Sequence, residues 1–283
     1  GAARTARAST AALAASPAGP ALRWLPDLDM LTWWWPNDAK LRAPHVLACK
    51  RTLRERVLPA LISALAAPCA SDVDFDMAVV QYVPEHRLCA RFDLQWQQGG
   101  AARRQRVYAK ASREPDGATA FGLLAQLQAS PAWRDGRLHT PRALLWQPET
   151  ELYWQEGLPG VPWLDAGAAT KAACATALGA QLAALHGTAV QTPRALTRQG
   201  LQARLAEVVA GLAPILGDDA VRCAAQALSD GWQALDRSPL ATLHGDFHVR
   251  NILVANEAGR PRVSLIDLDG IRRGPALLEL GAW

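Results

Sequence analysis

Three strand-like runs, MAVVQYVP (77–84), RLCARFDLQW (87–96) and RQRVYAKAS (104–112), are parted only by the short breaks EH and QQGGAA. Breaks this short allow only antiparallel neighbours, because a parallel return needs a crossover of about a dozen residues or more. The chain is therefore committed to an antiparallel meander. ATAFGLLAQLQAS (118–130) follows with helical spacing, then RALLWQP (142–148) and ELYWQEG (151–157) add two more strand-like runs joined by a short turn. Upstream, ACKRTLRERVLPALISALAAP (48–68) reads as a helix ended by Pro68, and the three tryptophans of DLDMLTWWWPNDAKL (27–41) read as packing locally.

The texture changes at LPGVPWLD (158–165), where two prolines and a glycine mark a lobe boundary. Beyond it, DAGAATKAACATALGAQLAALHG reads as one long helix stopped by Gly187. TRQGLQARLAEVVAGLAPIL and DDAVRCAAQALSDGWQAL read as two more. The ending returns to strands, TLHGDFHVRNILVAN and RVSLIDLDG, around a turn at EAGRP. Strands first and helices after define an α+β fold with two lobes. The expected division is a disordered tail over 1–22, an antiparallel-sheet N-terminal lobe over 23–157, and a mainly helical C-terminal lobe carrying a hairpin over 158–283.

Composition excludes several function classes. A net charge of +4 is spread along the chain, and no basic run with interleaved aromatics offers a nucleic-acid surface. Five dispersed cysteines without a CxxC pair argue against a disulfide framework or a zinc knuckle and fit the cytoplasm. No apolar run approaches a membrane span.

The hairpin carries the chemistry. Asp246 and Asn251 flank the entry to the strand NILVA, and the strand VSLI ends at Asp267, followed by Leu268, Asp269 and Gly270. Adjacent strands that each deliver an oxygen ligand at one end make a divalent-cation site, and Asn251 and Asp267 are hard ligands suited to Mg²⁺. Asp246, offset from them, is placed to accept a proton from a hydroxyl. Phosphoryl transfer needs these parts together with a cation for the phosphates. Lys110 is the candidate: it alternates with Ala109 and Ala111 within a strand and is one of four lysines among thirty basic residues.

HGDFHVRN (244–251) resembles the H-G-D-x-x-x-x-N catalytic loop of the aminoglycoside phosphotransferase and choline kinase family, which has a protein-kinase-like fold. IDLDG resembles that family's metal-binding segment, ELYWQEG with LPG its strand-to-hinge segment, and LAALHG the end of the helix before the catalytic loop. The resemblance runs from roughly Asp76 to Gly281. It implies an ATP-dependent kinase (GTP possible) that uses Mg²⁺ and phosphorylates a hydroxyl of a small molecule. Asp246 would be the catalytic base, Asn251 and Asp267 the metal ligands, and Lys110 a nucleotide-phosphate contact. Glu156 would lie at the adenine hinge, His248 near the transferred phosphate, His244 behind the loop as a brace, and Asp269 beside the metal.

The sequence departs from the family pattern in three places. The helix 118–130 has no carboxylate to meet Lys110, and Gln126 is its best-placed polar residue. The turn YVPEHRL is not glycine-rich, and GPALLELGAW stops where the family continues with acceptor-lining helices, so the chain reads as truncated there. It also offers no acidic cluster suited to a polycationic aminoglycoside. Two other classes compete: a non-catalytic nucleotide-binding pseudokinase, and a metal-dependent hydrolase chelating through His244, Asp246 and His248.

Overall fold

The computed structural model describes residues 22–67, 72–114, 116–217, 219, 221–223, 225–227, 231, 240–257 and 260–281. All of the expected tail over 1–22 except Leu22, which begins a strand, lies outside them, as do Cys69 and much of the expected helix over 218–235. The chain forms two compact units, 1–122 with 142–157, and 123–141 with 158–283.

In the first unit a hairpin of β1 (Leu22–Leu25) and β2 (Met30–Trp33) precedes the helical segments Ala43–Leu47, Lys50–Thr52 and Leu58–Ala64. A π-turn over Leu53–Val57 replaces the continuous helix expected from the spacing. Pro59 supplies the reason: it has no N–H for the residue-55 carbonyl and its ring crowds that turn, so the backbone widens just ahead of it.

The meander then forms as the short breaks require. Strands β3 (Asp74–Val83), β4 (Arg87–Gln98) and β5 (Ala101–Ser112) pair antiparallel, and β6 (Ala143–Gln147) and β7 (Leu152–Glu156) complete a five-stranded sheet of order β3-β4-β5-β7-β6. One sheet face is core: Leu88, Ala90, Phe92, Leu94, Val107, Ala109 and Trp154 pack with Leu53, Val57, Leu58 and Leu61. Side chains alternate along a strand, so Lys110 points to the other face, where its ammonium lies 5.9 Å from the ring centre of Tyr153.

The tryptophan run does not form a local cluster. Trp34 and Trp35 are exposed, and Trp35 meets Tyr82 of β3 edge-on at 5.2 Å. Asp38 ties this segment to the sheet: its carboxylate accepts the Lys40 and Leu41 N–H groups, the Glu85 N–H and the Tyr82 hydroxyl, each at 2.8 Å.

In the second unit β8 (Val161–Pro162) leads into the helix Ala168–His186, which ends at Gly187 as its sequence signals. The helix buries Cys174, Leu178, Leu182 and Leu185. Its Gln181 accepts the His139 N–H at 2.7 Å and donates to the Arg137 carbonyl at 2.9 Å. The helix Arg198–Leu216 begins at an N-cap, with the Thr197 hydroxyl accepting the Gly200 N–H. Strands β9 (Leu240–Leu243), β10 (Ile252–Glu257), β11 (Arg260–Leu265) and β12 (Arg272–Pro275) build two small sheets, β11-β10-β8 and β12-β9, and a short helix, Leu277–Gly281, follows.

Gln126, the polar residue singled out on the helix Gly117–Ala129, clasps the Gln191 backbone, donating to its carbonyl at 3.2 Å and accepting its N–H at 2.8 Å. No helix among the described residues is long and apolar enough to cross a membrane.

Candidate active site

Two hydrogen-bonded strand pairs set the frame. β10 and β11 pair with Ile252 opposite Leu265, and the Ile266 N–H donates to the Asn251 carbonyl at 3.0 Å, so the loop before β10 lies beside the segment after β11. β9 pairs with β12, and the loop 244–251 leaves from the end of β9.

Gly245 explains why a glycine stands between His244 and Asp246. Its φ is +83°, and a Cβ there would sit 2.0 Å from the Gly270 carbonyl oxygen and 2.6 Å from Arg272 Nε. Only a residue without a side chain brings these backbones so close. The guanidinium of Arg272 reinforces the junction by donating to the carbonyls of Gly270 and Gly245, each at 3.0 Å.

Asp246 is the outward-facing member of the loop, its side chain 58% exposed. Asn251 is buried, and its Nδ2 donates to the Asp246 backbone carbonyl at 2.9 Å and reaches the Asp246 carboxylate at 3.4 Å. Because the amide nitrogen is engaged there, Oδ1 projects from the opposite branch as an available acceptor or ligand. Asp267 adopts a left-handed backbone, φ +61° and ψ +54°, at the start of the short turn Leu268–Gly270. Aspartate is one of the few side chains that tolerates this left-handed region. Asp269 is half-buried in the same turn, and its carbonyl accepts from Arg194 at 3.1 Å.

The two loop histidines differ. His244 is fully buried, and its Nε2 lies 2.9 Å from the Ile266 carbonyl, so Nε2 carries the proton and Nδ1 is a bare, buried acceptor without a partner among the described residues. Burial pushes its pKa below the ordinary value despite the carboxylates around it. His248 instead caps the turn Val249–Asn251: the Arg250 N–H donates to Nδ1 at 3.1 Å. The neutral ring therefore carries its proton on Nε2, 3.6 Å from Asp246 Oδ2. In that tautomer the 3.3 Å approach of Asn251 Nδ2 to Nε2 is a contact and not a hydrogen bond. Among the described residues no group of three or more His, Cys, Asp and Glu side chains is placed to hold a metal, so the His244–Asp246–His248 chelate is not formed. A magnesium site built from one carboxylate, one amide oxygen and phosphate oxygens needs no such group.

Sequence reasoning missed Glu279. It is buried, accepts the Gly245 N–H at 2.7 Å, and lies 3.0 Å from His186 Nε2. Burial alone would push its carboxyl up, but His186 and the N–H groups of Gly245 and His244 outweigh that and hold it low. Glu279 thus fixes the start of the loop 244–251, and His186, the last residue of the helix Ala168–His186, is its partner. A lone buried-pattern glutamate in GPALLELG was the available signal.

Lys110 and Glu156 lie in the first unit, on β5 and at the end of β7. Both are half-buried, and the Glu156 N–H donates to the Arg142 carbonyl at 2.9 Å. Asp246, Asn251, His248, His244, Asp267 and Asp269 lie together in the second.

The sequence profile of the phosphotransferase enzyme family matches residues 65–282. The chain belongs to that family, and it is a phosphotransferase with the kinase-like fold. Among solved structures it is similar to a thermostable variant of the aminoglycoside phosphotransferase APH(4)-Ia in ternary complex with AMP-PNP and hygromycin B. That match has 18% identity and a TM-score of 0.51, and covers 80% of this chain and 75% of that one. A complex of another such variant with ADP and hygromycin B matches at 18% identity and a TM-score of 0.50, over 79% and 74% of the two chains. No curated protein matches the sequence.

Proposed function

We propose that this chain is an ATP-dependent kinase that uses Mg²⁺ and phosphorylates a hydroxyl of a small molecule in the cytoplasm. The observation that carries the reading is the Asp246–Asn251 arrangement. An exposed carboxylate is held by a buried amide whose nitrogen is engaged, which leaves the amide oxygen as the ligand atom at the same hairpin end that carries Asp267.

In this reading the acceptor hydroxyl approaches Asp246, which orients it and takes its proton. The acceptor oxygen bonds to the γ-phosphorus, the bond from that phosphorus to the β,γ-bridging oxygen breaks, and its electron pair stays on the departing ADP. Asn251 Oδ1 and Asp267 would hold Mg²⁺, which would supply charge neutralisation for the phosphates. Lys110 holds nucleotide phosphates as a point charge, and the segment ending at Glu156 receives the adenine. His248, with Nε2–H beside Asp246, helps to set the carboxylate's orientation, while His244 braces the loop from behind and Asp269 shapes the turn after Asp267. The ADP and AMP-PNP complexes of the similar structures are consistent with nucleotide use.

The test is transfer of labelled phosphate from ATP to a panel of alcohols, with and without Mg²⁺. Asp246→Asn is expected to lower kcat by about 10²–10⁴ with little change in nucleotide affinity. Asn251→Ala is expected to raise the Mg²⁺ requirement. Full transfer activity in Asp246→Asn would sink the assignment.

A further inference from the structure

Two guanidinium groups that no carboxylate neutralises by contact sit on backbone carbonyls of the residue before Asp246 and of the turn Leu268–Gly270. Arg194 reaches the Asp269 carbonyl at 3.1 Å, and Arg272 the neighbouring Gly270 carbonyl and the Gly245 carbonyl, each at 3.0 Å. Consecutive backbone oxygens thus draw two arginines to one place, immediately before the proposed base. The carbonyls orient the guanidiniums but carry only partial charge. Among the described residues neither arginine forms an ion pair within 4 Å.

Electrostatics agree with that geometry. Burial and then the like charges of Arg194 and Arg204 hold Arg272 below its ordinary value, so the cations sense one another. The carboxylates that act on Arg272 from a distance are Glu279 and Asp246. Glu279 is already engaged by the Gly245 N–H and His186, and Asp246 faces the reaction. A guanidinium has five N–H donors. Arg272 commits two and Arg194 one to the described partners, which leaves donors on both for a planar or tetrahedral oxyanion.

We propose that Arg194 and Arg272 form a subsite for an anionic group of the acceptor, so that the molecule phosphorylated at Asp246 is an alcohol bearing a carboxylate or a phosphate. This rests on the kinase reading and names its substrate class. A polycationic acceptor such as an aminoglycoside would meet repulsion at the same place. The anion anchors the acceptor while its hydroxyl loses a proton to Asp246 and its oxygen bonds to the γ-phosphorus, with ADP leaving as above.

The experiment uses the full chain with MgATP and four alcohols: glycerol, glycerate, glycerol 3-phosphate and hygromycin B. The expected result is a kcat/KM for glycerate or glycerol 3-phosphate at least about tenfold above glycerol, with hygromycin B poorest. The Arg194 side chain makes one described hydrogen bond, so Arg194→Gln leaves the loop in place; it should erase the preference through KM, with the ATP KM moving less than about twofold. A preference for hygromycin B overturns the proposal. So does a loss in Arg194→Gln that falls on ATP, which would assign the arginines to the nucleotide. A binding arm separates this failure from failure of the kinase reading. Glycerate and inorganic phosphate are titrated calorimetrically into Asp246→Asn and into Asp246→Asn with Arg194→Gln. Saturable binding weakened about tenfold by the second change supports the subsite whether or not transfer occurs, and binding that ignores Arg194 refutes it.

Discussion

His244 offers the sharpest physical test, because its buried ring has one proton, one partner and one bare nitrogen. In the folded protein Nε2–H donates to Ile266 at 2.9 Å, and Nδ1 has no acceptor beside it to receive the N–H of a second proton. Burial therefore holds the folded pKa below the ordinary 6.5. The unfolded chain takes up a proton near pH 6.5 while the folded chain does not, so stability must fall as pH drops below that value. With the ring neutral throughout, the loss is up to about 1.4 kcal/mol at pH 5.5 and up to about 2 kcal/mol at pH 5. Urea unfolding between pH 8 and pH 5 measures it. His244→Gln keeps an N–H donor for Ile266 but cannot titrate, so its stability curve should be flatter over that range, after a fixed loss of about 1 kcal/mol at pH 8. Parallel curves for the two proteins would refute the argument. If the variant fails to fold, nitrogen NMR of the native ring decides: an Nε2–H neutral tautomer retained below pH 6 is expected, and an imidazolium there would sink it.

Glu279→Ala should cost about 3 kcal/mol by stranding His186 and the Gly245 N–H, and Glu279→Gln less, as read by thermal unfolding. Its depressed pKa adds stability that is present above the ordinary glutamate value near 4.5 and lost as pH falls through the lower folded value, so the wild type should lose more than Glu279→Gln under acid. Gly245→Ala places a methyl against the Gly270 carbonyl at a positive φ and should cost about 2–3 kcal/mol or displace the loop, with kcat falling before ATP affinity does. Gln126→Ala removes both hydrogen bonds to Gln191 and should lower stability by about 1–2 kcal/mol without changing the ATP KM.

Much of this architecture could be read from the chain because local rules and tertiary packing agree there. Strand-like runs with short breaks fixed the meander, and alternation over 107–111 fixed which face Lys110 occupies, since Val107, Ala109 and Ala111 are the buried partners that alternation demands. The helix Ala168–His186 stops at the predicted glycine, and the β10–β11 hairpin joins the two motif segments. Other features depended on residues distant in sequence. Trp35 packs on Tyr82, Gln126 turns to a backbone 65 residues away, and the π-turn answers a proline whose effect the apolar spacing masks. The short strands β8, β9 and β12 were not foreseen, because two to four residues carry no periodicity, and β9 and β12 owe their existence to pairing with each other.

The sequence by itself determined the chemistry on offer: a carboxylate, an amide and a second carboxylate at the ends of two strands short enough to form one hairpin. Residue type and spacing suffice for that, because pairing across a tight turn leaves little freedom in where their ends fall. Tertiary structure alone decided the state of each group. It buried His244 and bared its Nδ1, set the His248 tautomer through a turn cap, and engaged the Asn251 amide nitrogen on the Asp246 carbonyl. It also brought Glu279 and two arginines to a loop more than twenty residues away in the chain. Protonation and orientation depend on burial and on partners brought from afar, and neither is a local property of the chain.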